Sequence, residues 1–271
     1  MRYVHGAVRV AAWCFAAAAC LAASPAGAAD LKAPAAKAYE TYASNATRDF
    51  LARSVKTAKA TTRRCDGVIT ARAGSGDGIL TVPDGLIHHW LGVSFISGAR
   101  IAEAETVARD YPAYSKVYKS VVSSNVISQQ GDDYRVLIRI REDAGLTAVL
   151  DVRSAVNYQR QKDGSVVAVS RSEEIREVEN AGKPNESILP AGRDSGYLWR
   201  AHTFTHFIPE EGGVLVIMET LGLSRRFPLG LGWIIEPIAR RLGRKSVEES
   251  LMEFGAAVRR SAGLTVGTSR C

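Results

Sequence analysis

Cysteine is scarce in this chain, and its placement makes it scarcer still. Only four occur, and Cys14 and Cys20 fall within an N-terminal leader. The other two, Cys65 and Cys271, form no CxxC pair and have no histidine nearby, so redox catalysis and zinc binding find no support. In an oxidising compartment they are candidates for a single disulfide. Runs of like charge are missing as well. Lys and Arg give a net charge of +7 but stand singly or in pairs, without interleaved aromatics, which speaks against a nucleic-acid partner. Beyond the leader no apolar run reaches the roughly 20 residues of a membrane-spanning helix. The Gly-rich stretch Ala73–Gly78 lacks the Lys-Ser/Thr of a phosphate cradle. It also lacks the strand-to-helix turn of a nucleophilic serine, so it reads as a flexible turn.

What is present begins with the leader. Arg2 and Arg9 precede an Ala-rich apolar run from Val10 to Leu21, Ser24-Pro25 breaks it, and Ala26-Gly27-Ala28 is a small-residue cleavage pattern. These are the parts of a secretory signal peptide over residues 1–28, giving a mature chain from Ala29 that is soluble and periplasmic or secreted. Cys20 as a lipid-attachment site is the lesser reading, because Ala17-Ala18-Ala19 lacks a large aliphatic residue.

Over its full 271 residues the chain carries 46% hydrophobic and 23% charged residues, an ordinary globular balance. Tyr39, Tyr42, Ala43, Ala46, Phe50 and Leu51 recur at helical intervals over Ala38 to Val55. A short strand is expected near Val68–Ala71, and the turn Pro83-Asp84-Gly85 is a candidate domain boundary. Residues 29–82 then form an N-terminal helical extension and linker, 83–264 the main domain and 265–271 a tail. Leu86–Ile96 reads as a strand and Ile101–Asp110 as a short helix that Tyr111-Pro112 stops. Period-two alternation runs from Val121 to Leu223, clearest where Arg135, Arg139 and Arg141 alternate with Val136, Ile138 and Ile140. The last long stretch, Gly230–Ala262, is helical. Leu231, Ile234, Ile235, Ile238 and Leu242 form one stripe; Val247, Leu251, Phe254 and Val258 form a second. Gly243 reads as a helix end, and Ser246 with Glu249 as a capping box restarting the helix. Strands gathered in a run with helices at the ends argue α+β.

Few residues suggest chemistry. His88 and His89 are adjacent and face opposite ways on a strand; His202 and His206 share a face but stand about 13 Å apart, so neither pair holds one metal. All four are expected as surface or hydrogen-bonded core histidines. The carboxylate pairs Asp132-Asp133, Glu173-Glu174, Glu210-Glu211 and Glu248-Glu249 read as solvent-facing. Glu219 differs, because it interrupts the apolar run Val214–Leu221. A carboxylate there must find a partner or shift its pKa, and Arg200 on the preceding strand is the expected partner.

The element order, Arg225-Arg226-Phe227-Pro228 leading into the closing helix, and the short stretches Gly85–Trp90 (GLIHHW), Gly196–Arg200 (GYLWR) and Gly230–Trp233 (GLGW) carry a resemblance. The chain resembles the START-like (SRPBCC) superfamily, nearest to uncharacterised exported START-like proteins. That resemblance covers Leu86 to about Ala262. It implies a helix-grip fold, a curved antiparallel sheet of about six or seven strands wrapped on a long C-terminal helix, with an apolar cavity between them. It implies an exported protein that binds a lipid or other hydrophobic small molecule, with possible transient membrane contact and no cofactor or metal. Trp199, Arg200, Glu219, Trp233, Leu251 and Phe254 are the candidate ligand contacts, and none is assigned a catalytic role. The alternatives are a cyclase or aromatase using a polar cavity residue, Glu219 being the nominee, and a ligand-free interaction module.

Overall fold

A computed structural model describes residues 30–61, 69–143, 147–226 and 232–264; for 232–242 only the backbone course is described. The expected signal peptide, Cys65, Cys271 and the 265–271 tail lie outside the described residues. Helix α1 (Ala33–Ala60) opens the fold, followed by β1 (Ile69–Ala73), β2 (Ile79–Val82) and β3 (Gly85–Ser97). Helix α2 (Ile101–Arg109) runs through a 3-10 turn (Tyr111–Ala113) into the single-turn helix α3 (Tyr114–Val117). Then come β4 (Val121–Gln130), β5 (Asp133–Asp143), β6 (Thr147–Arg160), β7 (Val166–Glu179), β8 (Ser187–Ile188), β9 (Arg200–Glu210) and β10 (Gly213–Arg225), and α4 (Gly232–Ser261) closes the chain.

All pairings are antiparallel, in the order β1-β3-β10-β9-β7-β6-β5-β4, with β2 added to β3 and β8 to β7. The α+β class and the curved sheet carrying a long C-terminal helix are as expected. The strand count is not: ten strands form the sheet rather than six or seven. Part of the excess comes from before Pro83. Val82 pairs with Gly85 across that turn, so β2 and β3 form a hairpin, and β1 pairs with β3 through Ile69↔Ser94 to Ala73↔Trp90. The two-residue β8 lies in the Gly- and Pro-containing stretch Asn180–Arg193, where Ile188 and Ser187 pair with Val178 and Glu179.

Strand alternation gives the sheet two apolar faces. On one, Trp90, Ile96, Val214 and Val216 join Val247, Leu251, Phe254 and Val258 of α4, so the second helical stripe faces the core as its spacing requires. On the other, Ile87, Phe204, Leu221 and Leu223 pack against Tyr39, Ala43, Ala46 and Phe50 of α1. The order is therefore three layers, α4 on sheet on α1.

Helix α4 does not break at Gly243, and Ser246 lies in its interior rather than at a new cap. The glycine serves a close approach instead. A Cβ at Gly243 would lie 2.2 Å from Trp90 Nε1, and one at Gly92 would lie 2.4 Å from Val247 Cγ1. Helix and strand thus touch through two missing side chains, which sets how deeply α4 sits on β3. The free edge β4 carries two register shifts, near Val121 and Val126, which twist it away from regular edge-to-edge pairing.

Candidate functional site

Between the sheet, the α2–α3 turn and α4 lies a cavity of about 210 Å³. Its floor is the inward face of β5, β6, β7, β9 and β10: Val136, Ile138, Val156, Ala168, Phe207, Val216 and Met218. Its roof is aromatic. Tyr111, Tyr114 and Tyr118 follow α2, Tyr158 rises from β6, and Phe254 lines it from among the described side chains of α4. The ring of Tyr111 lies 5.0 Å from that of Tyr114 and 5.3 Å from that of Tyr134, centroid to centroid.

A simple backbone need orders this roof. Helix α2 ends with unpaired carbonyls, as every helix does. The Ala108 carbonyl accepts from Tyr114 Oη at 2.6 Å and from Tyr158 Oη at 2.7 Å. Since the Tyr158 proton goes to Ala108, Tyr111 is the donor in the 2.9 Å Tyr111–Tyr158 contact. The guanidinium of Arg109 covers the Tyr158 ring, 4.0 Å from its centroid. Burial pushes the Tyr158 phenol up to about 12 and raises those of Tyr111, Tyr114 and Tyr118 further. At neutral pH all four keep their protons.

Of the residues expected at the ligand, Phe254 lines the cavity and Leu251 lies beside it in the α4 core. Trp233 is in the first turn of α4, with its side chain outside the described residues. The rest are elsewhere. Trp199 packs in the α1 layer, its Nε1–H donating to Asp194 Oδ1 at 3.2 Å, and Arg200 donates to the Trp199 carbonyl at 2.9 Å. Glu219 also points at α1, since it alternates with the cavity residue Met218.

Glu219 is buried, at 1% exposure, and its partner is not Arg200. Register explains why: Glu219 stands opposite Phe204, while Arg200 stands opposite Leu223, four residues along the strand. The partners are Arg53 of α1, Nη2 to Oε1 at 2.6 Å, and His89 of β3, Nε2 to Oε1 at 2.9 Å. Burial opposes the charge, but the His89 and Arg53 hydrogen bonds outweigh it and hold the carboxyl below its usual range.

His89 belongs to a set. Its Nδ1 meets Tyr42 Oη at 2.7 Å, His202 Nδ1 meets Tyr39 Oη at 3.0 Å and His206 Nδ1 meets Ser54 Oγ at 2.8 Å. Helix α1 is thus pinned to the sheet by three buried histidines as well as by Phe50, which stacks on Phe204 at 5.2 Å. Burial lowers His202 to about 4, and likewise lowers His206 against a nearby Asp163 charge. His88, on the other face, is lowered to about 4 by burial and meets Ser224 Oγ at 2.8 Å.

Replacing Arg53 by Ala removes one partner of a buried carboxylate. The cost should fall at the lower end of the about 3–5 kcal/mol for such breakage, because Arg53 is one-third exposed and His89 keeps its bond. Arg200→Ala should cost under about 1 kcal/mol, since it holds no buried charge. Urea unfolding of both variants decides between the two arginines, and equal losses would contradict the pairing.

Sequence reasoning missed the tyrosines. The signal is Tyr111, Tyr114 and Tyr118 at spacings of three and four, beyond the helix stop that Tyr111-Pro112 signals.

No family model matches the chain, and no curated protein matches it in sequence. Solved structures are similar to it over about two thirds of its length. A STAR-related lipid transfer protein from Xanthomonas axonopodis is 16% identical, covering 72% of this chain and 98% of its own, with a TM-score of 0.44. Human STARD10 is 10% identical over 70% of this chain and 77% of its own, TM-score 0.45. The Zhui aromatase/cyclase from Streptomyces sp. R1128 is 13% identical over 66% of this chain and 99% of its own, TM-score 0.43. At these identities and scores nothing about ligand or reaction passes from them to this chain. Sheet, closing helix and cavity form the arrangement expected of a helix grip, a curved antiparallel sheet carrying a long C-terminal helix, with α1 added as a third layer.

Proposed function

We propose that this protein binds a small hydrophobic molecule in the cavity under the tyrosine roof. The observation that carries this reading is the cavity itself: about 210 Å³, with no charged side chain among the described residues that line it. Its size lies below the about 300–1,000 Å³ of drug-sized sites, which disfavours a two-chain lipid and favours a compact cargo. Export belongs to the same proposal, on the strength of the Arg-flanked apolar leader ending at Ala28. N-terminal sequencing of exported protein should return Ala29.

The cyclase reading has lost its nominee. Glu219 lies on the α1 side of the sheet, and Tyr158, with its pKa near 12, holds its proton at neutral pH and already donates it to the Ala108 carbonyl. Binding without turnover is the reading we keep.

Solvent extraction of purified protein and mass spectrometry should recover a compact apolar molecule. Ala168 lines the cavity floor, so Ala168→Leu should expel that molecule with a stability change within the about 1–3 kcal/mol of overpacking. A variant that retains the extracted molecule in full would overturn the assignment to this cavity.

A further inference from the structure

The cavity has a polar spot with a particular place and character. Ser170 of β7 and Thr203 of β9 stand opposite one another in register, and Thr205 stands opposite Ala168 on the same face. All three line the cavity. Among the described residues, none of their hydroxyls has a hydrogen-bond partner, and none is sealed from the cavity as a buried orphan would be. Three of the four roof hydroxyls are engaged: Tyr114 and Tyr158 donate to the Ala108 carbonyl and Tyr111 donates to Tyr158, which leaves Tyr118. The sheet floor thus offers three free hydroxyls grouped on one face, against the single one of Tyr118 on the roof.

The same lining restricts charge. Among the described residues no Asp, Glu, Lys, Arg or His lines the cavity, so a carboxylate, phosphate or ammonium there would be desolvated without a counter-ion from this lining. Size restricts shape. An apolar cavity of about 150 Å³ takes one benzene ring, so about 210 Å³ takes about two fused rings.

We infer that the cargo is a neutral molecule of about two fused rings carrying one hydroxyl or carbonyl oxygen, which hydrogen-bonds to Ser170, Thr203 and Thr205. This rests on the cavity being a binding site. A free hydroxyl can donate to a carbonyl or accept from an alcohol, so both oxygen types fit the spot. The ring body then lies against Val136, Val156 and Val216, under the faces of Tyr111 and Tyr158.

Calorimetric titration of the full chain with 2-naphthol, naphthalene and 2-naphthoate tests this. Naphthol should bind about tenfold more tightly than naphthalene, the gain of one or two hydrogen bonds. Naphthoate should bind at least about a hundredfold more weakly than naphthol, because its charge enters unpaired. In the near-isosteric variant Ser170→Ala/Thr203→Val/Thr205→Val the naphthol-to-naphthalene ratio should collapse to about one. Thr203→Val alone, which removes the central hydroxyl, should lower the ratio part-way and serves if the triple variant fails to fold. A ratio that survives these replacements, or naphthoate binding on a par with naphthol, overturns the inference. Naphthalene binding in that case leaves the cavity reading standing. If none of the three binds, the cavity reading falls with it.

Discussion

A chain beginning at Pro83 should fail to form the native sheet. Such a chain lacks α1, β1 and β2, and each of these is joined to the strands after Pro83. Removing α1 uncovers Ile87, Phe204, Leu221 and Leu223, which its Tyr39 and Phe50 bury. Fully burying one large apolar side chain is worth about 1.5–3 kcal/mol, so losing these contacts removes on the order of 10 kcal/mol. A domain's whole net stability is about 5–15 kcal/mol. Losing Arg53 also strips Glu219 of a charged partner, and losing Tyr39, Tyr42 and Ser54 takes the Nδ1 partner from each of three buried histidines. Both effects push the same way. Circular dichroism and a cooperative thermal transition decide the matter; a native-like, cooperatively melting fragment would show that the α1 layer is dispensable. In sequence the turn at Pro83 reads as a domain boundary, which implies independence from the first 80 residues; in the structure it joins two paired strands.

Acid should destabilise the protein steeply between about pH 6.5 and pH 4. His88 and His202 are held neutral in the folded chain, each lowered to about 4 by burial from an ordinary 6.5. Below pH 6.5 the unfolded chain takes up protons that the folded chain refuses, so stability is full above that pH and falls towards pH 4. With both imidazoles lowered from 6.5 to about 4, the loss is on the order of 5 kcal/mol. His206, lowered in the same direction, adds to it. Glu219 acts in the same sense: its carboxyl is held low, so its contribution is also lost on acidification, at still lower pH. Around His202 stand Tyr39 from α1, the Leu221 carbonyl from β10 and the Arg171 charge from β7; none offers a carboxylate to a protonated imidazole. Urea midpoints at pH 7 and pH 4.5 measure the loss, and His202→Gln should flatten the pH dependence. A midpoint that does not move over this range would mean that these imidazoles are solvated.

The sequence carries the frame more clearly than the site. The α4 stripe Val247, Leu251, Phe254 and Val258 is readable because helical period and burial coincide there. Glycine is ambiguous: Gly243 has the sequence signature of a helix end, and only the approach to Trp90 explains it inside a helix. Glu219 is readable as a buried carboxylate, since an apolar run on both sides leaves it no water. Its partner is not, because Arg53 lies 166 residues away and reaches it only once α1 crosses the sheet. That same crossing packs Trp199 in the α1 layer, with Arg200 donating to its carbonyl. A cavity between sheet and helix is an expectation of the resemblance, yet its roof comes mainly from Tyr111, Tyr114 and Tyr118, whose shared direction depends on how the α2 carbonyls are capped.

Methyl NMR provides the most direct test of the cavity. Beyond the initiator the chain has two methionines, Met218 on the cavity floor and Met252 half-exposed on α4. With both labelled at the ε-methyl carbon, 2-naphthol should shift the Met218 resonance saturably, as a ring stacked above it must, and leave Met252 in place. Adsorption on the surface would instead move Met252, and a Met218 resonance that stays still throughout the titration would contradict a ligand in the cavity.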